Sequence, residues 1–410
     1  MNIKHCSLLT VSILLACNVN AAGFQVAEHS ASGLGRAFSG EAAVADNASV
    51  LARNPAAMTL FDTAQFSGAL TVVDPEVNVK DVTANQTSKD VAPMQIVPAG
   101  YYIAPINDQW AWGVGLFTTY GVATDYPDDI AAGDLAGNTA LVSVNFNPNI
   151  AYRVNEQLSV GAGVNLVYAT AELDRHHGNL PLGGNPSDKL ISMEGTTFGY
   201  GWNVGALYEY NENNRFGFGY RSAIKLDFEG DFSDYGNGII NSGKDKVTAN
   251  LNVDLPDIAE LSAFHQLNDK WAAHYSIQRT MWSKFKELKA TSSECVNSEC
   301  FYKKEHYADS NRYSVGATYS HNEKWTWRAG VALDEKGGEA TLSIPDSDRY
   351  WYSAGLTYRY NESTTIDAGF AYVHSVEGSF TETNKLGNTS TFEAEGAAYL
   401  SAIQVNYTFN

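Results

Sequence analysis

Beyond about residue 64, apolar residues recur at every second position through most of the chain. In Trp325 to Leu333, "WTWRAGVAL", Trp325, Trp327, Ala329, Val331 and Leu333 share one face while Thr326, Arg328, Gly330 and Ala332 share the other. Tyr352 to Tyr360 and Ile366 to Val373 repeat the pattern. A period of two is the mark of strands with two unlike faces. Here the apolar faces begin and end in aromatics, and the opposite faces carry Gly, Ser, Thr and single charges. Strands of about ten residues with such an aromatic-flanked band fit the roughly 25 Å apolar height of an outer-membrane barrel wall. The polar face then lines a lumen.

The connections agree with an up-and-down wall. Six short turns, at Ile106 to Asp108, Val154 to Gln157, Asn211 to Asn214, Leu267 to Lys270, His321 to Lys324 and Asn361 to Ser363, alternate with seven long polar stretches. The latter cover roughly 81–92, 123–140, 175–197, 230–246, 291–307, 334–347 and 375–391. Thirteen connections join fourteen strands, an even number as a closed bacterial barrel needs. Closure matters because an open edge in lipid leaves backbone groups unpaired at several kcal/mol each. The last strand puts Tyr399, Ser401, Ile403, Val405, Tyr407 and Phe409 on one face and ends one residue past the aromatic, at Asn410.

The first residues place Lys4 before an apolar run from Leu8 to Ala16, with small residues at Val19 and Ala21. This reads as a secretory signal over residues 1–21, cleaved before Ala22. The rival reading is a lipoprotein box, "LLAC", that would lipidate Cys17. No later run approaches the roughly 18 apolar residues of a membrane helix. Charged residues make up 18% of the chain and the net charge is −19, which argues against nucleic acid or anionic surfaces as partners. The remaining cysteines, Cys295 and Cys300, sit in a polar loop of an exported chain and read as a local disulfide.

Residues 22–62, "AGFQVAEHSASGLGRAFSGEAAVADNASVLARNPAAMTLFD", do not alternate and hold too few apolar residues for a core of their own. This stretch, with Asn54, Pro55 and Ala56, resembles the N-terminal hatch of the outer-membrane long-chain fatty acid transporters (FadL and the related hydrocarbon transporters). "APINDQWAWGVGL", "TTYGVATDY", "FGYGWNVGALYEYNENNRFGFGYRS" and "SIPDSDRYWYSAG" are also similar to that family, whereas the loop after "AELDRHHGNL" is shorter.

The resemblance implies an all-β transmembrane antiparallel barrel of about 14 strands over 63–410, plugged by a hatch over 22–62. It implies ligand capture in an outer apolar groove, passage to a lumenal pocket, hatch rearrangement and lateral exit through the wall. Phe24 carries over as a pocket residue, and Asn54, Pro55 and Ala56 as the gating element. Thr118, Thr119, Tyr120 and Gly121 carry over as the kink beside the lateral opening, and Arg175 as the carboxylate partner. A guanidinium suits that role because its fork can bond both oxygens. The bland alternatives are a linker turn at Pro55, a loop glycine at Gly121 and a solvated loop charge at Arg175.

Other motifs weigh little. Arg328 and Arg359 face inward by parity and read as lumenal ion pairs, and His176 and His177 as solvated loop histidines. "GLGRAFSG" follows no strand, so no nucleotide loop is expected, and "YPDD" reads as a solvated acidic loop. The expected function is passive uptake of long-chain fatty acids without cofactor, metal or catalytic residues. The expected setting is a monomer amid outer-membrane lipid and lipopolysaccharide, inserted by the barrel-assembly machinery. Alternatives are uptake of aromatic or aliphatic hydrocarbons, a general porin and, more distantly, a barrel hydrolase using His274.

Overall fold

The computed structural model describes residues 23–181 and 184–409; the expected export signal, the alternative lipidation site Cys17 and Asn410 lie outside the described residues. Fourteen antiparallel strands form the wall. The first six are Gln65–Asp81, Gln95–Pro105, an interrupted third strand (Trp110–Phe117 and Gly121–Thr124), Thr139–Arg153, Leu158–His176 and Lys189–Asn211. Strands seven to ten are each broken once. They comprise Asn214–Arg221 with Ile224–Asp234, Lys246–Leu255 with Ile258–Gln266, Trp271–Thr280 with Glu287–Thr291, and Glu299–Lys304 with Ser310–Ser320. The last four are Trp325–Asp334, Arg349–Arg359, Thr364–Thr383 and Thr389–Thr408. The first strand pairs with the last from Gln65↔Thr408 to Asp81↔Phe392, which closes the barrel.

Alternation sets which way each side chain points. Phe370, Tyr399, Ile403 and Val405 are exposed on the outer face, while Asp367, Ala371, Gln404 and Asn406 are buried inside. Aromatic pairs such as Trp110–Tyr152, Trp271–Tyr319 and Trp325–Tyr358, with ring centroids 4.6–4.7 Å apart, ring the short-turn end. Tyr168–Phe198 and Tyr372–Tyr399 lie towards the long-loop end. The short turns share one device. Asn107, Asn155, Asn268 and Asn322 each accept backbone N–H bonds from residues two and three further on. Asn211 and Asn361 accept from the residue two further on. An Asn side chain that mimics a backbone turn lets two strands reverse within a few residues.

Two expectations need correction. The stretch 375–391 is a strand hairpin that continues to Thr383 and resumes at Thr389, because strands above the membrane still pair when both faces are wet and apolar alternation is gone. Arg359 is exposed, and its Nε donates to the Glu323 carbonyl at a turn; parity stops predicting the facing where a strand ends.

Residues 23–62 lie in the lumen, in short pieces: Ala31–Leu34, Glu41–Val44, Ala48–Ala52 and Pro55–Leu60. Helices this short have no stability of their own. Inward-facing wall glycines let this backbone come close. A Cβ at Gly217 would overlap the Ala42 carbonyl oxygen, one at Gly330 that of Arg36, and one at Gly369 that of Ala31. Replacing Gly217 by Leu should unseat this segment at a cost of about 1–3 kcal/mol, the usual range for overpacking. The expected readout is a raised ion current in planar bilayers with unchanged heat-modifiable mobility. Gly378→Leu, where a Cβ meets nothing within 4 Å, should leave the current at the level of the unaltered protein.

Candidate functional site

The third strand breaks at Thr118–Tyr120, and its ladder with the second strand ends at Gly100↔Leu116. Gln95–Ala99 pair with the first strand alone, so the wall has an unpaired stretch opposite Gly121–Thr124. The backbone groups of the break turn inward to the N-terminal segment. Val26 N–H donates to the Thr119 carbonyl at 2.8 Å, Gly121 N–H to the Phe24 carbonyl at 2.9 Å, and His29 Nε2 lies 2.9 Å from the Thr118 carbonyl. Thr118 Oγ1 donates to Ser143 O, and the Tyr120 hydroxyl to Pro256 O at 2.7 Å.

Phe24 meets Trp282 and Phe285 edge-on, with centroids at 4.7 and 5.1 Å, and Tyr120 at 6.0 Å. Gly23 supplies the positive φ of 62° that brings the chain against Trp282, where a Cβ would come within 2.6 Å of the indole. Its N–H donates to Asp346 at 3.0 Å. Trp282 is placed by the break in the ninth strand, which no alternation in the sequence marks.

Beside Phe24 lies a largely apolar cavity. Leu141, Leu173, Met193, Phe228 and Leu251 are among its lining residues, as are Glu172, Glu194 and Asp231. Thr139 and Ser343 give it one polar end. Arg175 lies directly behind that end, 1% exposed, at the top of the fifth strand rather than in a solvated loop. Its guanidinium donates to Thr139 Oγ1 (3.2 Å), Ser343 Oγ (2.8 Å) and the carbonyls of Asn138 and Asp174. All four acceptors are neutral. Lys303, which sequence reasoning missed, reaches Ser343 Oγ at 3.3 Å and pairs with Glu382 at 3.4 Å. Alternation is lost around Lys303, so nothing in the sequence marks it as a neighbour of Ser343.

Asn54 is fully buried and joins three parts of the molecule. Its Oδ1 accepts the Ala56 N–H at 3.0 Å, and its Nδ2 donates to Ala42 O (2.7 Å) and to Ala206 O of the sixth strand (2.9 Å). Pro55 follows as first residue of a 3-10 helix, where a missing N–H and a fixed φ cost nothing. A Cβ at Gly161 would crowd Pro55 and Ala56, so the motif lies against the wall. Deeper in, Asp46 is shared by Arg36 (2.9 Å) and Arg328 (3.0 Å), and Arg36 also holds Glu41 (2.6 Å). These two arginines keep the Asp46 carboxyl well below its usual range.

The remaining motifs are structural. Cys295 and Cys300 are joined in a disulfide, packed with Ile240, Val247 and Phe301. His176 is buried and lies 3.3 Å from Asp128 of "YPDD", so it is not a solvated loop residue. His274 sits 2.8 Å from Ser39 Oγ and 3.0 Å from Thr318 Oγ1. That Ser–His contact is packed between the N-terminal segment and the wall, and the imidazole's other partner is a hydroxyl rather than a carboxylate.

The chain matches, over residues 12–409, the family described as outer membrane protein transport protein (OMPP1/FadL/TodX). It belongs to this family. A long-chain fatty acid transport protein of Escherichia coli O6:H1 is 39% identical, with 98% of each chain covered. Outer membrane protein P1 of Haemophilus influenzae is 38% identical over 98% of this chain and 99% of its own. Among solved structures, a Pseudomonas aeruginosa FadL homologue superposes with a TM-score of 0.85 at 22% identity, covering 95% of this chain and all of that one. The Ralstonia pickettii toluene transporter TbuX gives 0.67 at 18% identity, covering 95% of this chain and 99% of its own. The protein is therefore an outer-membrane β-barrel of the OMPP1/FadL/TodX family, and its fold is shared with these structures.

One titrating group stands out in the N-terminal segment. Burial pushes the Glu28 carboxyl up from 4.5 to about 7, against the pull of Arg312 and Arg53. Because the folded form holds its proton more tightly, stability present at low pH is lost as pH rises from about 4.5 through about 7, by roughly 3 kcal/mol at most. Ion leak through planar bilayers should therefore rise between about pH 5 and about pH 8, and Glu28→Gln should flatten that rise.

Proposed function

We propose that the protein carries long-chain fatty acids passively across the outer membrane, and that residues 22–62 act as its hatch. The observation that carries this reading is Arg175. A buried charge is normally paired, and this guanidinium has only neutral acceptors at the polar end of an apolar cavity. A carboxylate at Thr139 and Ser343 would complete it, with the alkyl tail running past Leu141, Met193 and Phe228. The E. coli relatives, long-chain fatty acid transport proteins by name, agree with such a cargo. Hydrocarbon uptake is the second reading; it has in its favour the apolar lining, but it leaves Arg175 without a purpose.

Burying a sixteen-carbon tail at about 0.8 kcal/mol per CH2 gives roughly 12 kcal/mol gross, an upper bound. A single well that deep would hold the ligand, so release calls for a conformational step. Phe24 is suited to couple the two events because it lines the cavity and borders the break in the third strand. The exit is then the unpaired stretch at Thr118–Gly121, with Asn54, Pro55 and Ala56 holding the body of the hatch to the wall. Hydrolysis has no part in this scheme.

Uptake of labelled oleate by a transporter-deficient bacterium expressing this chain should be restored, and toluene uptake run in parallel tests the second reading. Arg175→Ala should weaken oleate binding roughly 30-fold, from about 2 kcal/mol for hydrogen bonds to a charged group, with much less effect on oleyl alcohol. Equal loss for both ligands would remove the carboxylate role. Pro55→Ala should slow oleate uptake with barrel assembly intact; unaltered uptake would remove the gating role of the motif.

A further inference from the structure

We propose that Arg221 forms a second carboxylate station, one step inward from Arg175, in a small polar cavity beside the break in the third strand. This rests on the fatty acid reading of the outer cavity. The inner cavity is lined by Gln25, His29, Arg53, Thr119, Tyr220 and Arg221, with Glu260 also facing it. Arg53 pairs with Glu260 at 3.3 Å, so their charges offset. Arg221 is left over. It is 7% exposed, donates to Asn165 Oδ1 and to the Ala52 carbonyl (2.8 Å), and lies 5.1 Å from the Phe117 ring centroid. As with Arg175, both of these acceptors are neutral.

A second observation points to a ligand. Among the described residues, Thr119 Oγ1, His29 Nδ1 and Arg53 Nε are buried without a hydrogen-bond partner, and all three belong to residues lining this cavity. Buried polar atoms left open are costly unless something binds them. A hydroxyl, a guanidinium edge and an unpaired arginine charge around one space are the donors a carboxylate requires.

The two cavities are separated by very little. Phe24 and Val122 line the outer one, Gln25 and Thr119 the inner one. The partition is the Gln25↔Tyr120 bridge with its bonds Val26 N–H to Thr119 O and Gly121 N–H to Phe24 O. Withdrawal of Phe24–Val26 breaks those two bonds, together with the two that Gln25 Oε1 accepts from Gln278 and Thr280, and joins the spaces. A carboxylate leaving Arg175 then reaches Arg221 before the unpaired stretch at Gln95–Ala99, so the headgroup is never far from a cation inside the wall.

The test compares oleate with oleyl alcohol in cells and oleate binding to the purified barrel. Arg221→Gln should lower oleate uptake about tenfold, a change of about 1.4 kcal/mol in the barrier. Equilibrium oleate binding should stay within about twofold and oleyl alcohol uptake should not change, because neither depends on the second charge. Arg221→Lys should restore most of the oleate rate. Thr119→Val, which keeps the charge, guards against a glutamine variant that fails to assemble and should lower oleate uptake alone to a smaller degree. Unchanged oleate uptake in Arg221→Gln, or parallel loss of oleate and oleyl alcohol in all variants, overturns the proposal. Loss of oleate binding in step with uptake overturns it too, since Arg221 would then serve the outer site. An unaltered protein that neither binds nor carries oleate removes the underlying reading and this one with it.

Discussion

Backbone N–H and C=O groups facing lipid must find partners within the wall, and every other feature of this molecule adjusts to that demand. Pairing of the first strand with the last satisfies it around the circumference. The ladders are interrupted where strands seven to ten break and, beside the N-terminal segment, in the third strand. Where it breaks, the carbonyls of Thr118 and Thr119 and the N–H of Gly121 are served by His29, Val26 and Phe24. Wall and N-terminal segment thus share one set of hydrogen bonds at that point. Displacing the segment would leave those backbone groups of the wall without their partners.

The N-terminal segment is held unevenly along its length. Its body is fixed by directional contacts: the Arg36, Glu41, Asp46 and Arg328 pairs, and the three bonds of Asn54. Buried ion pairs are weak evidence for net stability, since desolvation offsets much of their attraction. They do penalise a shifted placement, because each charge must meet its own partner. The leading residues Phe24–Val26 carry no ion pair; they are held by aromatic edges, two backbone bonds to the break and the bonds that Gln25 Oε1 accepts from Gln278 Nε2 and Thr280 Oγ1. Aromatic contacts tolerate sliding better than a buried ion pair does.

The wall was legible in the sequence because parity alone decides which face a strand residue occupies, and because Asn107, Asn155, Asn268 and Asn322 punctuate the turns. Legibility ended where lipid ended. The hairpin arms around residues 375–391 read as loop, since a strand wet on both faces loses its apolar signal, and Arg359 lost its parity at a strand terminus. Phe24, Arg175 and the Thr118–Gly121 break came from resemblance to a family, and the alternation of residues does not single them out. Lys303, Trp282 and Arg221 stayed hidden for a further reason. Their importance lies in what stands next to them across the lumen, or in a counter-charge that is missing, and neither is a property of local sequence.

Two requirements on a passive carrier of amphiphiles pull in opposite directions. The tail gains by burial in proportion to its length, yet apolar contacts are non-directional, so a methylene loses little when it slides from one aliphatic surface to the next. The headgroup behaves otherwise. An ionised carboxylate away from water needs a charge or several donors at each resting place, and between such places its energy rises steeply. The positions of unpaired buried cations therefore govern where the cargo pauses, while the apolar lining governs how tightly it is held overall. Under the proposed reading, Arg175 and Arg221 stand on either side of two backbone hydrogen bonds, so that a small withdrawal of the N-terminus would change the path of a charge with the wall's other strands left in place.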